Sequence, residues 1–371
     1  MRLVYFSPVP WASFDQRPHK FVDWLYARYR ADVIWVDPYP TRLPMLKDFS
    51  RVKNGAGNNA TILKNSKPST WLKVLQPRSL PIEPLPGSGR LNRLFWGDVL
   101  EEIDTFVADG DCIIGIGKPS ELALQALFRY PGIPSFYDAM DDFPAFYHGI
   151  SRAGMARRER EIAFRVSRIS VSSTALAHRF SIYQAKLVLV FNACDSEKLP
   201  PINRSLTCSV KPVIGYVGTI GHWFDWPLVL ALAEENSSVC FRLIGPVYVQ
   251  PSKPMPPNIE LLLACDHVAA MRAMAEFTIG LIPFKRIGLT ASVDPIKYYE
   301  YRAMGLPVLS TRFGEMAFRE EKDGVFFIDK FASLKRQVQL AMAYKYDINE
   351  IREFRKANSW GARFEDDCIL P

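Results

Sequence analysis

Lys297 and Glu300 stand three apart in the run D-P-I-K-Y-Y-E-Y-R-A-M-G-L-P-V-L-S, residues 294–310. That spacing puts a basic and an acidic group on one helical face. Such a pair is either a solvated ion pair or a site that holds an anion and a hydroxyl-bearing ligand together. Asp294-Pro295 makes the turn before the helix, and Gly305 and Pro307 break it ahead of the apolar run Val308-Leu309.

A second group of reactive types follows the apolar run 133–137, where Asp138, Asp141 and Asp142 lie among aromatic residues. A carboxylate in an apolar, partly desolvated setting has a raised pKa and can act as a general base. An Asp can also cap a helix, and Asp142 before Phe143-Pro144 reads that way. Near the N-terminus, Asp15, Arg17 and His19 in S-F-D-Q-R-P-H could face the same cleft as these carboxylates.

Phosphate chemistry has its own candidates. The stretch V-I-G-Y-V-G-T-I-G-H, residues 213–222, is a buried strand running into small residues. Gly218, Thr219 and Gly221 let backbone N–H groups approach a phosphate. The P-loop Lys-Ser/Thr is missing, and so is G-x-G-x-x-G, which counts against a nicotinamide enzyme. His222 reads as a capping or packing residue before a catalyst. Lys285 and Arg286 end the run T-I-G-L-I-P-F-K-R and are either surface charges or ligands for a phosphate or sugar carboxylate.

These residues need elements to position them. Predicted strands are 2–6, 33–36, 112–116, 135–137, 169–172 and 187–190, then 213–217, 241–244, 259–262, 278–282, 308–310 and 325–328. Helical segments fall between them at 20–30, 120–128, 154–165, 175–183, 227–234, 268–275 and 296–304. Strand-helix alternation twice over predicts two doubly wound parallel-sheet domains, divided in the polar stretch 192–211. Ligands of such sheets sit beyond the carboxyl ends of the strands.

The chain has 371 residues, a length that suits two domains. No run of 18 apolar residues predicts a spanning helix, and the first apolar segment is too short for a signal peptide. Six scattered cysteines without a C-x-x-C pair predict reduced thiols in a cytoplasmic protein, with no zinc site. The net charge of +7 is uneven: Arg42 to Arg93 holds ten basic residues against two acidic ones, with Trp71, Leu72, Leu75 and Leu80 interleaved. This composition fits an anionic membrane surface, or a solvated loop. No nucleic-acid motif accompanies it.

Taken in order, the residues resemble the GT-B glycosyltransferases, especially bacterial enzymes of cell-surface polysaccharide assembly related to glycosyltransferase families 1 and 4. The first half carries Gln16-Arg17-Pro18-His19, Tyr137-Asp138-Ala139-Met140-Asp141-Asp142, Ser172-Ser173 and Asn192-Ala193-Cys194-Asp195. The second carries Gly215-Tyr216-Val217-Gly218-Thr219-Ile220, Leu243-Ile244-Gly245-Pro246, Leu281-Ile282-Pro283-Phe284 and Pro295-x-Lys297-x-x-Glu300-Tyr301-x-Ala303-x-Gly305-x-Pro307-Val308. Asn358-Ser359-Trp360-x-x-Arg363 comes last. The resemblance implies an acceptor-binding domain over 1–205 and a nucleotide-sugar domain over 206–350, two Rossmann-like domains facing an interdomain cleft. A C-terminal helix over 351–371 returns to the first domain.

The resemblance also implies roles. Glu300 binds the donor ribose and Lys297 the pyrophosphate. The Gly218–Gly221 loop faces the phosphates, while Gly245 and the segment from Cys265 to His267 hold the base. Lys285 joins the donor site, and Asp15, Arg17 and His19 belong to the acceptor site. No metal or cofactor is implied, the nucleotide-sugar being a substrate. Retaining members carry a second Glu eight residues before the ribose-binding one, and here that position is Ser292. Inverting relatives use an Asp of the first domain, a role that Asp141 or Asp138 matches, Asp141 first. The implied activity is a hexosyl- or glucuronosyltransferase using a UDP-sugar and a lipid-linked or oligosaccharide acceptor, peripheral at the inner face of the cytoplasmic membrane. A nucleotide-sugar 2-epimerase and a degenerate GT-B scaffold protein share the fold and stand as alternatives.

Overall fold

A computed structural model describes residues 1–13, 15–41, 70–200, 211–329, 332–366 and 369–371. Two compact units divide it: residues 1–191 with 364–371, and residues 192–363. The expected boundary at 205/206 falls outside the described residues, as do residues 42–69 of the basic region.

The first unit is built on a parallel sheet of β1 (Arg2–Phe6), β2 (Asp32–Val36), β3 (Leu72–Leu75), β4 (Cys112–Ile116), β5 (Ser135–Ala139), β6 (Arg168–Val171) and β7 (Leu187–Leu189). Their order across the sheet is β3-β2-β1-β4-β5-β6-β7. The connecting helices are α1 (Arg17–Tyr29), α2 (Ser88–Asn92), α3 (Gly97–Ala108), α4 (Glu121–Arg129), α5 (Gly149–Arg165) and α6 (Thr174–Arg179). Val4, Ile34, Ile114 and Ile116 of the strands pack with Trp96, Leu122 and Ile162, which is why these strands read as continuous apolar runs. Phe364 seals α1, its ring 5.5 Å from Phe21 and 5.6 Å from Trp24.

The second unit repeats the plan with β8 (Val213–Val217), β9 (Cys240–Ile244), β10 (Ile259–Leu262), β11 (Ile279–Ile282), β12 (Val308–Ser310) and β13 (Val325–Phe327), in the order β10-β9-β8-β11-β12-β13. All its pairings are parallel. Its helices are α7 (Trp226–Glu235), α8 (His267–Ala275), α9 (Ile296–Ala303), α10 (Leu334–Ala343) and α11 (Ile348–Ala357), followed by α12 (Trp360–Asp366). α11 packs on α9 through Phe354, whose ring lies 5.9 Å from Tyr298, and Arg355 donates to the Ala303 carbonyl at 2.6 Å. The two doubly wound α/β units are those the alternation predicts. In each sheet the strand order reverses beside the first strand, β1/β4 and β8/β11, which is where ligands of such sheets bind.

Candidate functional site

In the second unit the loop after β8 is shaped by two glycines. Gly218 and Gly245 have φ of 153° and 144°, and a Cβ on Gly245 would lie 2.1 Å from the Gly218 carbonyl oxygen. The loops after β8 and β9 therefore cross backbone to backbone, an approach only glycine permits. The Thr219 carbonyl accepts from the Tyr216 hydroxyl at 2.8 Å, and Gly221 abuts the Trp223 ring. Lys285 ties the loop after β11 to this one. Its Nζ donates to the His222 carbonyl at 3.0 Å and its amide to Trp223 at 2.6 Å. Gly218, Thr219, Gly221 and Lys285 thus share the carboxyl edge at the β8/β11 reversal.

Lys297 and Glu300 do share a face of α9, and Lys297 Nζ donates to Glu300 Oε2 at 2.5 Å. The pair is not a solvated surface contact, because Glu300 is buried and Lys297 only partly exposed. His267 begins α8, which Asp266 caps by accepting from the Ala269 amide. Burial and Asp266 push the Cys265 thiol up, while the Lys297 ammonium pulls the other way, so the loop after β10 lies within the field of α9. Asp294, just before α9, accepts from the Asn192 amide at 2.7 Å and the Tyr299 hydroxyl at 2.9 Å. Burial raises its pKa to about 6, with those two donors opposing. Its other oxygen, Oδ1, and the Ser292 hydroxyl are buried with no hydrogen-bond partner among the described residues.

A cavity of about 870 Å³ opens beyond β11, β12 and β13, lined by Lys285, Arg286, Thr311, Arg312 and Arg319 among others. Apart from Lys285, none of the expected donor-site residues reaches it.

The first unit separates its carboxylates. Asp138 lies inside β5 and is buried. Arg17 grips both its oxygens, Nε to Oδ2 at 3.0 Å and Nη2 to Oδ1 at 2.9 Å, and the Ser170 hydroxyl donates to Oδ1 as well. The same guanidinium donates to the Val190 carbonyl at 2.7 Å. His19 is buried too: its Nδ1 accepts from the Gln16 amide and its Nε2 donates to the Trp11 carbonyl, both at 3.2 Å. Asp15 pairs with Lys20 at 2.9 Å. Asp142 takes the N-cap position of the turn Phe143–Phe146 without a capping hydrogen bond, and pairs instead with Arg179 at 2.6 Å. Arg179 also holds Glu159, which accepts from Tyr137 and which burial pushes up to about 7.

Asp141 differs from all of these. It lies two residues past β5, half-buried, and its carboxylate has no hydrogen-bond or ion-pair partner among the described residues. Burial first, then the neighbouring Asp142, push it up to about 7, against the pull of Arg17. A carboxyl group with these properties can take a proton from a hydroxyl near neutral pH. Ser170, Glu159, Arg179 and Asn192 support these groups from 20 to 102 residues away in sequence, and no spacing pattern announces them.

No protein-family model matches the chain. A protein of Bacillus subtilis (strain 168) named "Putative teichuronic acid biosynthesis glycosyltransferase TuaH" is 23% identical, over 80% of this chain and 76% of its own length. Among solved structures, Anabaena Alr3699/HepE in complex with UDP-glucose superposes with a TM-score of 0.61 at 12% identity, covering 100% of this chain and 96% of that one. The E. coli trehalose-6-phosphate structure bound with UDP-2-fluoro glucose gives 0.62 at 14% identity, covering 99% and 98%. The chain therefore has the GT-B fold and is similar in sequence to a protein named as a putative glycosyltransferase.

Proposed function

We propose that this chain, a glycosyltransferase of GT-B fold, moves a sugar from a uridine diphosphate sugar to a lipid-linked or oligosaccharide acceptor in polysaccharide assembly. The observation that carries the donor half is the half-buried Lys297–Glu300 pair on α9, a helix whose Tyr301 hydroxyl accepts from the Val217 amide, next to Gly218 in the crossed glycine loops. Lys297 would turn from Glu300 to the diphosphate, leaving the Glu300 carboxylate for the ribose hydroxyls. Amide N–H groups of the Gly218–Gly221 loop and Lys285 would complete the phosphate contacts, with Gly245 and His267 on the base side. Positive groups of this kind stabilise the departing diphosphate, so the proposed reaction uses no metal. TuaH by its name and HepE by its bound UDP-glucose favour a UDP-sugar and a polysaccharide product.

In the acceptor half Asp141 is the base. The acceptor hydroxyl gives Asp141 its proton as its oxygen bonds the anomeric carbon, and the carbon–oxygen bond to UDP breaks in the same step. Ser292 at the place of a second Glu favours this single displacement with inversion. Arg17 and Asp138 hold each other and His19 is held by the Gln16 and Trp11 backbone, so these three belong to the scaffold of the acceptor unit, with Asp15 paired to Lys20. The peripheral position at the cytoplasmic membrane is part of the same reading. Among the described residues, no helix is long and apolar enough to cross a membrane.

The test is a panel of UDP-, GDP- and dTDP-sugars. One UDP-sugar should release UDP, and UDP at about 100 times its dissociation constant should add roughly 2.7 kcal/mol to stability. Lys297→Ala should weaken UDP binding about ten- to a hundredfold, the loss expected for a hydrogen bond to a charged group. Release of a 2-epimer of the sugar would favour the epimerase reading, and no response to any nucleotide would favour the scaffold.

A further inference from the structure

Helical segments on a protein surface normally turn their apolar side inward. The segment from Ser88 to Phe95, comprising α2 and the single 3-10 turn Arg93–Phe95, does the reverse. Asn92 and, just beyond, Trp96 point inward and are fully buried. Leu91, Leu94 and Phe95, spaced as i, i+3 and i+4, point outward with 52%, 82% and 47% of their surface exposed. Leu80 and Leu85, in the preceding loop, are exposed as well.

This outward face is held firmly from beneath. Asn92 exchanges two hydrogen bonds with the Leu80 backbone, at 2.9 and 3.2 Å, and the Trp96 indole donates to the Arg78 carbonyl at 2.9 Å. Below them Glu83 accepts from Tyr39 and Arg158. The apolar tips are therefore presented by a fixed support.

The charges around the tips are basic. Arg78 and Arg90 have no ion-pair partner among the described residues, and Arg93 meets Glu121 only at 3.5 Å. The acidic groups of the adjoining helix are Asp98, Glu101, Glu102 and Asp104; Lys73 neutralises Glu102 and Arg129 neutralises Asp104. Exposed leucine and phenylalanine side chains set among arginines match the boundary between acyl chains and anionic headgroups, where the apolar tips would enter the apolar layer and the guanidinium groups stay with the phosphates. A protein partner would call for a groove or a larger, flatter patch.

We propose that the ridge from Leu80 to Phe95 docks this chain on an anionic lipid bilayer, with Leu91, Leu94 and Phe95 inserted and Arg78, Arg90 and Arg93 on the headgroups. The inference deepens the lipid-linked acceptor reading and rests on it for its purpose, but its test is separate. The full chain is sedimented with vesicles of phosphatidylcholine mixed with phosphatidylglycerol, and with phosphatidylcholine alone, at low and high salt. It should bind the mixed vesicles and lose them as salt rises. Leu91→Ser with Leu94→Ser should lower vesicle affinity about tenfold or more. Arg90→Gln with Arg93→Gln should lower it about tenfold and flatten the salt dependence.

UDP-induced stabilisation, read in parallel, should stay as in the parent because these residues are exposed and remote from α9 in sequence. Unchanged vesicle binding in both double variants overturns the inference, as does a parent that ignores anionic vesicles. A lipid-free self-association that the leucine variant abolishes would assign the ridge to a protein contact and likewise overturn it. Loss of vesicle binding with UDP binding intact supports the ridge. A failure of UDP binding in the parent rejects the donor reading and leaves the vesicle result standing.

Discussion

Each unit has an opposite-charge pair that the sequence singles out, Arg17–Asp138 in the first and Lys297–Glu300 in the second, and the two pairs are built differently. Arg17 and Asp138 are both buried, share two short contacts, and have their remaining hydrogen-bonding capacity filled by Ser170 and Val190. Lys297 and Glu300 share one contact, with the ammonium a quarter exposed. A buried pair with every group satisfied has little left for a ligand, and removing one member strands the other charge. A pair with one wet end can exchange its partner for an incoming anion at small desolvation cost. Equal chemistry in sequence thus becomes scaffold in one unit and a candidate site in the other.

Breaking the scaffold pair should give the largest effect. Arg17→Met leaves the Asp138 carboxylate buried without its partner, which costs about 3–5 kcal/mol. Hydrogen exchange would show this as faster opening of β5 and β6 amides, with β8 and β9 amides of the other unit as the internal reference. If the β5 amides kept their protection, the pair would not hold the first unit together.

The same contrast recurs across the end of β5, between residues three apart. Asp138 is saturated, whereas Asp141 has no partner among the described residues and is pushed up to about 7 by burial and Asp142. Asp141→Asn should lower turnover roughly a hundredfold or more, as loss of a general base does, while UDP binding holds. The parent rate should rise with pH through about 7, because only the ionised carboxylate accepts a proton. Stability should run the opposite way. The folded-state pKa lies above the unfolded value of about 3.9, so between these values the unfolded chain has already released the proton that the folded chain retains. Asp141 therefore favours folding most at acid pH and loses that contribution as pH climbs to 7. Asp141→Asn should flatten this fall in a series of thermal melts. A variant as active as the parent would remove Asp141 from the reaction.

Which of these groups would be saturated was only partly legible in the sequence. Strands of the buried sheets announce themselves as apolar runs, and β1, β4, β8 and β12 lie where the runs lie. β3 did not, because L-K-V-L is short, sits at the sheet edge with Lys73 exposed, and is embedded in basic sequence. The Lys297–Glu300 face follows from local helical spacing. Asp138 was misleading because the expected strand stopped at Tyr137; the strand continues to Ala139, which takes Asp138 into the sheet and onto Arg17, 121 residues away. Saturation of a charge is a long-range property, and spacing along the chain does not carry it.

The smallest expected effect sharpens the comparison most closely, because it concerns one hydroxyl. Ser292 lies inside the second unit, buried and without a hydrogen-bond partner among the described residues, eight residues before Glu300. An orphaned buried hydroxyl is a net cost to folding, so Ser292→Ala should leave stability unchanged or raise it by about 1 kcal/mol. Its effect on ligands discriminates two explanations. If the hydroxyl is only a packing remnant, affinities for UDP and for the UDP-sugar move together or stay put. If it waits for the sugar, UDP affinity holds while UDP-sugar affinity falls about threefold to tenfold, the worth of one neutral hydrogen bond. Calorimetric titration of both ligands into parent and variant reads the difference directly. The second outcome would extend the site from Glu300 back along the chain to Ser292, and the first would confine it to the face of α9 that carries Lys297 and Glu300.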